Sequence, residues 1–409
     1  MRIAFIVTEF PNVSETFILN QITSLLESGN EVEIFSCFKP VRQKEKKVHP
    51  DVQKYNLQEH THYFSSIPNN RMLRILKASF LVITNVFKAP VMVFKSLNIF
   101  RFKNLRLIYS LVPFLNFTDK TKKFDIIHCH FGPNGIWGLN LKFLGLKGKL
   151  LTSFHGYDVN SYPQEQGIGI YNDLFKYGDG FTANTNFTKI QAVKLGCPEN
   201  KIHIVHEGLK SANFKYLPRK LKPGENINLL TLGRLVEKKG HKYTLKALKE
   251  ILMENRNIMY TIAGDGPLRE ELEKLTDELG IKDNVIFLGK VDQSEAVKLY
   301  NQAHIFILTS VTAANSDREG QALVLQEAQA CGIPVIATLH NGIPEGVLDG
   351  ESGFLVPERN VDILVEKLKT LIENPQIWGT MGKCGQEFVQ KKFDADILNL
   401  QLIKVYKKI

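Results

Sequence analysis

Short apolar runs along the chain alternate with longer segments in which apolar residues recur every three or four positions. The short runs read as strands buried on both faces, and the longer segments as helices with one apolar stripe. In the first half, strands are expected at 3–7, 31–36, 125–130, 150–155, 180–183 and 202–206. Helices at 16–27 and 188–195 fall between some of them. In the second half, strands are expected at 227–232, 259–263, 285–288, 305–308, 334–337 and 353–355. Helices at 242–253, 268–279, 294–301 and 322–330 separate most of them. From 361 onward the pattern is helical, over 361–373, 376–390 and 394–408.

A β-α-β-α order implies parallel sheets with helices on both faces. The halves are separated by the polar stretch 210–225, which holds Pro218, Pro223 and Gly224. The expected α/β architecture is two doubly wound, Rossmann-like domains, 1–209 and 226–385, with a final helix over 386–409 crossing back to the first. Such sheets bind ligands at their strand carboxyl ends, so the cleft between domains is where chemistry is expected.

Length and composition agree with this reading. The 409 residues exceed one ordinary core, and 44% hydrophobic with 23% charged residues excludes a disordered or collagenous chain. The five cysteines form no C-x-x-C pair, so free thiols in a reducing, cytoplasmic setting are expected. The apolar run after Met1 reaches Glu9 too soon for a signal peptide.

Charge is unevenly spread. Residues 1–220 carry a net +13 and residues 221–409 a net −3; the segment 71–123 alone holds eleven basic residues and one acid, Asp119. Its Lys and Arg interleave with Leu, Ile, Val and Phe. The longest apolar run, 78–87, is far short of the roughly 20 residues that span a bilayer. Two readings stay open: an interfacial surface for anionic lipid, or helices covering a sheet with their basic residues in water. Nucleic acid is not indicated, since no nucleic-acid motif accompanies the patch.

No G-x-G-x-x-G follows the first strand and no P-loop occurs. The candidate chemistry lies in the second half. Its first strand leads into Gly233-Arg234-Leu235-Val236-Glu237-Lys238-Lys239-Gly240. Glycine permits close backbone approach there, and Arg234 and Lys239 can flank one polyanion. Further on, Glu319 and Gly320 precede a helix whose first free amides, from Gly320, Gln321, Ala322 and Leu323, would form an anion site. Glu327 follows eight residues after Glu319, about 12 Å along a helix. That suits one carboxylate on a sugar and one on a ribose across a diphosphate, or simply two exposed glutamates on an amphipathic helix.

These motifs resemble those of family-four glycosyltransferases of GT-B fold. The resemblance runs through Gly233-Arg234-Leu235 with Lys239-Gly240, Ala263-Gly264-Asp265-Gly266-Pro267-Leu268, Phe287-Leu288-Gly289, Glu319-x7-Glu327, Ala330-Cys331-Gly332-Ile333-Pro334-Val335 and Gly342-Ile343-Pro344-Glu345. The first half is similar to the bacterial exopolysaccharide transferases of the colanic acid and amylovoran kind. The residues are Phe10 to Ile18, His128-Cys129-His130-Phe131-Gly132 and Ser153-Phe154-His155-Gly156-Tyr157-Asp158. Many relatives carry a glycine pair after the first strand; here Glu9 to Ser14 has none, and the hydroxyls of Ser14 and Thr16 could substitute.

The resemblance implies a retaining glycosyltransferase that moves a hexose from a UDP- or GDP-sugar to a hydroxyl of a growing glycan; the basic first half adds the expectation of a polyprenyl-linked acceptor at the inner membrane face. Arg234 and Lys239 would neutralise the diphosphate, Glu327 hold the ribose and Glu319 the transferred sugar. His155 would face the sugar, with Asp158 and His130 near that loop. The base would rest on Leu288 and Gly289, with Gly264 and Gly266 keeping the wall low. No metal and no cofactor beyond the donor is expected. His128-Cys129-His130 looks metal-like, but adjacent strand residues point to opposite faces. His206-Glu207-Gly208 is expected to serve as a hinge. A GT-B epimerase and a non-catalytic nucleotide-sugar binding protein are the competing readings.

Overall fold

In a computed structural model of the chain, residues 1–11, 16–39, 49–64, 68, 70–88, 90–97, 123–254 and 257–409 are described. Seven strands form a first parallel sheet: β1 (Arg2–Glu9), β2 (Glu31–Phe38), β3 (Thr61–Tyr63), β4 (Ile126–His130), β5 (Lys149–Phe154), β6 (Gly180–Ala183) and β7 (Ile202–Ile204). Their order is β3-β2-β1-β4-β5-β6-β7. Six more form the second: β8 (Ile227–Leu232), β9 (Ile258–Ala263), β10 (Val285–Gly289), β11 (Ile305–Leu308), β12 (Val335–Thr338) and β13 (Gly353–Val356), in the order β10-β9-β8-β11-β12-β13. The sequence anticipates twelve of these within two residues at either end. The short edge strand β3, Thr-His-Tyr, carries no apolar run to reveal it. The strand expected at 202–206 stops at Ile204 because the chain then leaves the sheet for the second domain.

The central strands are buried on both faces, as β4 and β11 show throughout, and β11 accordingly reads as a continuous apolar run. Ile3, Phe5 and Ile126 face one helical layer; Ala4, Ile6 and Ile127 face the other. Leu229 and Leu230 split the second sheet in the same way.

The chain crosses between domains twice. It leaves the first after β7, and it returns at Phe393–Asp394. There Leu209 donates its amide to the Phe393 carbonyl at 3.0 Å and Ala395 donates to the Leu209 carbonyl at 2.9 Å. The helices expected at 376–390 and 394–408 lie on either side of this crossing. Helix Trp378–Lys392 packs on the second domain through Val389. Helix Ala395–Lys408, capped by the Asp394 side chain, lies on the first through Leu402, Val405 and Tyr406. No helix among the described residues is long and apolar enough to cross a membrane.

The domains are also in direct contact. Glu345 accepts hydrogen bonds from the amides of Asn186 and Phe187, at 2.8 and 3.3 Å, at the start of the first-domain helix Asn186–Lys194. A carboxylate there offsets the exposed amides and the positive helix end. On another side, His49 Nε2 lies 2.5 Å from Gln293 Oε1.

Candidate active site

β5 delivers the first-domain side of the cleft. The turn after it is stapled by Asp158, whose carboxylate accepts from the amides of Gly132 (2.9 Å), His155 (3.0 Å) and Gly156 (2.9 Å). Asp158 is fully buried, and burial raises its carboxyl above the usual range against the pull of His155 and those amides. Asp158 thus shapes this loop from behind.

That loop holds His155 between two partners. Its Nδ1 donates to Glu207 Oε1 at 2.8 Å, and its Nε2 lies 3.0 Å from His130 Nδ1. His130 Nε2 in turn lies 2.9 Å from Gln21 Oε1 on helix Thr16–Glu27, whose Phe17 ring packs 4.9 Å from the His155 ring. Thr16 opens that helix, and Ser14 lies outside the described residues. Burial pushes His130 well below the usual imidazole range and His128 down to about 3, so both are neutral at neutral pH. His128 is engaged by Tyr406 and Ser153, at 2.8 and 2.7 Å. Cys129 points to the opposite face, against Gly138. No metal-holding cluster of three or more His, Cys, Asp or Glu side chains occurs among the described residues.

The second-domain side comes from the loops after β8, β9 and β10 and the turn before helix Leu323–Ala330. These loops are stitched backbone to backbone: Leu235 donates to Asp265 O at 3.1 Å and Gly264 to Gly289 O at 2.8 Å. A Cβ on Gly264 would lie 1.8 Å from the Gly233 carbonyl oxygen, and one on Gly266 2.4 Å from that of Leu235. These glycines are required by the neighbouring loop, a reason different from the low base-binding wall expected. Leu288 is exposed beside them.

Lys239 Nζ and Glu319 Oε2 form an ion pair at 2.5 Å, both side chains largely buried. Burial pushes the Glu319 carboxyl up, but Lys239 and Lys238 outweigh it and bring it down to about 2. Lys238, which the sequence reading passes over, bonds Asp317 at 3.1 Å and fixes the approach to Glu319. The Glu319 amide donates to His340 Nε2 at 3.1 Å, and His340 Nδ1 donates to Glu358 at 2.6 Å. Burial lowers His340, so the neutral ring with its proton on Nδ1 fits both bonds. Arg234 is exposed, with no side-chain partner among the described residues.

The helix expected at 322–330 begins one residue later because Ala322 has φ 61°. The amides of Gly320, Gln321, Ala322 and Leu323 make no hydrogen bond among the described residues, leaving four donors beside Glu319. The Gln321 side chain is committed elsewhere. It accepts from the Glu207 amide and donates to the Glu207 carbonyl, both at 2.7 Å. Gly320 lies against the first domain, where a Cβ would come 2.3 Å from the His155 carbonyl oxygen. Glu327 accepts from the Tyr300 hydroxyl at 2.7 Å, and burial raises its carboxyl to about 7. Two carboxylates on one turn-and-helix unit are thus driven in opposite directions, one by cations and one by desolvation.

Two features escaped the sequence reading. His340 and Glu358 sit behind Glu319 with no motif but the neighbouring Gly342-Ile343-Pro344-Glu345 to point to them. An Asp-x-Asp spacing occurs once, at Asp394-Ala395-Asp396. Asp394 there caps a helix, accepting from the Asp396 amide at 3.0 Å and from Ser211 Oγ at 2.5 Å.

Two parallel-sheet domains with cations, carboxylates and free amides gathered where they meet define a GT-B glycosyltransferase. The chain matches Glycosyltransferase Family 4 over residues 14–212 and Glycosyl transferases group 1 over 213–388. It is 30% identical to the "Putative colanic acid biosynthesis glycosyltransferase WcaL" of Salmonella typhimurium and 28% identical to the amylovoran biosynthesis glycosyltransferase AmsK of Erwinia amylovora, with all of each chain covered. The crystal structure of Anabaena Alr3699/HepE with UDP and glucose shares the fold at a TM-score of 0.72 and 18% identity, both chains fully covered. The chain belongs to the family-four glycosyltransferases.

Proposed function

We propose that the chain transfers a hexose, with retention, from a UDP- or GDP-sugar to a hydroxyl of a growing bacterial glycan, a lipid-linked exopolysaccharide or O-antigen precursor at the inner membrane face. The observation that carries this is the Lys239–Glu319 pair beside four unengaged amides. An incoming donor replaces the internal pair. Its diphosphate takes Lys239, Arg234 and the amides, and its sugar hydroxyls donate to the released Glu319 carboxylate. Charge grows on the phosphate as the glycosidic bond breaks, and fixed cations and N–H donors stabilise it without rearrangement. Glu327 holds the ribose hydroxyls. His155 meets the sugar from the first domain, oriented by Glu207. Retention follows if the acceptor hydroxyl attacks from the face the phosphate leaves.

On this reading Arg234 and Lys239 do the work of a divalent ion, and no cofactor beyond the donor is required. The test is thermal stabilisation by a panel of nucleotide sugars, since a ligand that binds only the folded state raises stability by about 2.7 kcal/mol at a hundredfold excess over Kd. A shift with one nucleotide sugar that vanishes in Arg234→Ala supports the site. No shift with any donor overturns it. Product analysis without acceptor separates transfer from epimerisation, and the anomeric configuration of the product decides retention.

A further inference from the structure

Two helices of the basic segment, Arg71–Asn85 and Pro90–Ser96, carry most of their described large apolar residues outward. Of the 23 exposed large hydrophobic residues described in the chain, ten fall between Met72 and Leu97. Phe80 is 63% exposed and Phe87 94%. At 100° per residue, Leu73, Leu76, Phe80 and Ile83 fall in one stripe, and the exposed Phe87 follows in the turn after the helix. The buried face, Ala78 and Leu81 with Val82 packed on the core, lies on the opposite side of the same helix. Lys77 and Lys88 fall along one edge of the stripe. A helix of a globular protein that buries one face normally wets the other; here the outer face is the more apolar one.

We infer that this face inserts into the surface of an anionic lipid bilayer. The inference extends the proposed function, from which it takes the lipid-linked acceptor. Charge selects the occupant. Residues 71–97 hold five basic residues and no acid. A second copy of the chain would bring the lysines of that edge near like charges, with no acidic position in the segment to pair them. A fifteen-residue helix also offers only two heptads to a coiled coil. An anionic headgroup layer instead accepts the Lys side chains at the edge of the stripe while the apolar stripe sinks to the acyl boundary. The mode differs from surface electrostatics alone, because the apolar side chains carry part of the binding.

The experiment is sedimentation of the full chain with phosphatidylglycerol-containing vesicles and with phosphatidylcholine vesicles, at low and high salt. Wild type is expected to bind the anionic vesicles. The triple variant Leu76→Ser, Phe80→Ser, Ile83→Ser removes exposed side chains only. It is expected to bind at least about tenfold more weakly at low salt, with its thermal midpoint unchanged. Lys88→Glu with Lys95→Glu is expected to lose the preference for anionic over neutral vesicles. The inference is overturned if wild type stays in the supernatant, if the triple variant binds as wild type, or if wild type is a dimer that the triple variant dissociates. Nucleotide-sugar stabilisation in the same samples, without vesicles, reports on the proposed function separately.

Discussion

His155 Nδ1 donates to Glu207 Oε1 at 2.8 Å, and the Glu207 backbone is gripped from the other domain by the Gln321 side chain. One residue at the crossing between domains therefore fixes a cleft imidazole in the first and is itself fixed by the second. The sequence reading treats Glu207 as a hinge residue; its side chain makes it a positioning residue. Glu207→Gln keeps the shape and removes the charge that orients the ring. Turnover is expected to fall roughly 10- to 100-fold, with the donor KM changed much less and the fold intact. Equal loss in kcat and in thermal stability would instead mean a structural role.

Gly320→Ala tests the domain contact by size alone. A Cβ would lie 2.3 Å from the His155 carbonyl oxygen, so the domains must part or the loop must shift. We expect kcat/KM to drop at least about tenfold, since reacting groups lose their alignment, and the radius of gyration from solution scattering to rise. Unchanged activity would show that the contact is not part of the working state.

The two glutamates should give opposite pH signatures. Glu319 is held at about 2, below its ordinary value of 4.5. Its ionised form stabilises the fold above pH 4.5, and that contribution is lost as pH falls toward 2. Glu319→Gln is expected to be less stable than wild type by on the order of 3 kcal/mol at neutral pH, with the gap closing in acid. Denaturant titrations from pH 3 to 7 check this.

Glu327 is raised to about 7 from 4.5, so its protonated form is favoured in the fold. That contribution is present below pH 4.5 and lost as pH rises through 7. Glu327→Gln should therefore gain stability relative to wild type between pH 5 and 8. Donor affinity should show the reverse. It rises through pH 7 in wild type as the carboxylate ionises, and it stays weak and flat in the variant. Calorimetric binding curves across that range are the measurement.

Chelation is a separate check. If Arg234 and Lys239 neutralise the diphosphate as proposed, excess EDTA should leave turnover within about twofold of the untreated enzyme. A collapse restored by one divalent ion would reassign that role.

What could be read from the sequence, and what could not, divides along physical lines. The strands were legible because burial on both faces leaves a continuous apolar run; Ile305–Leu308 has no polar residue to blur it. Lys239, Glu319 and Glu327 were legible because their spacing along one loop and one helix is local. What Asp158 does there was not legible, because one of its three amide partners, Gly132, lies 26 residues away in the chain. Gln321 and Glu207 are 114 residues apart, and no local pattern joins them. The outward apolar stripe was half legible: period and charge were plain, but which face meets the core depends on what lies beneath.

Helix Ala395–Lys408 returns to the first domain and places Leu402 and Tyr406 with Ile3 and Phe5 of β1. The domain made first on the ribosome is therefore completed last. Until the second domain has been synthesised, β1 and β4 carry an uncovered apolar face, on which helix Ala395–Lys408 will later close. Nascent chains stopped near the end of the first half should engage chaperones, and release should await the final helix. The same return makes truncation at Phe393 a lesion of the first domain, although every deleted residue follows the second.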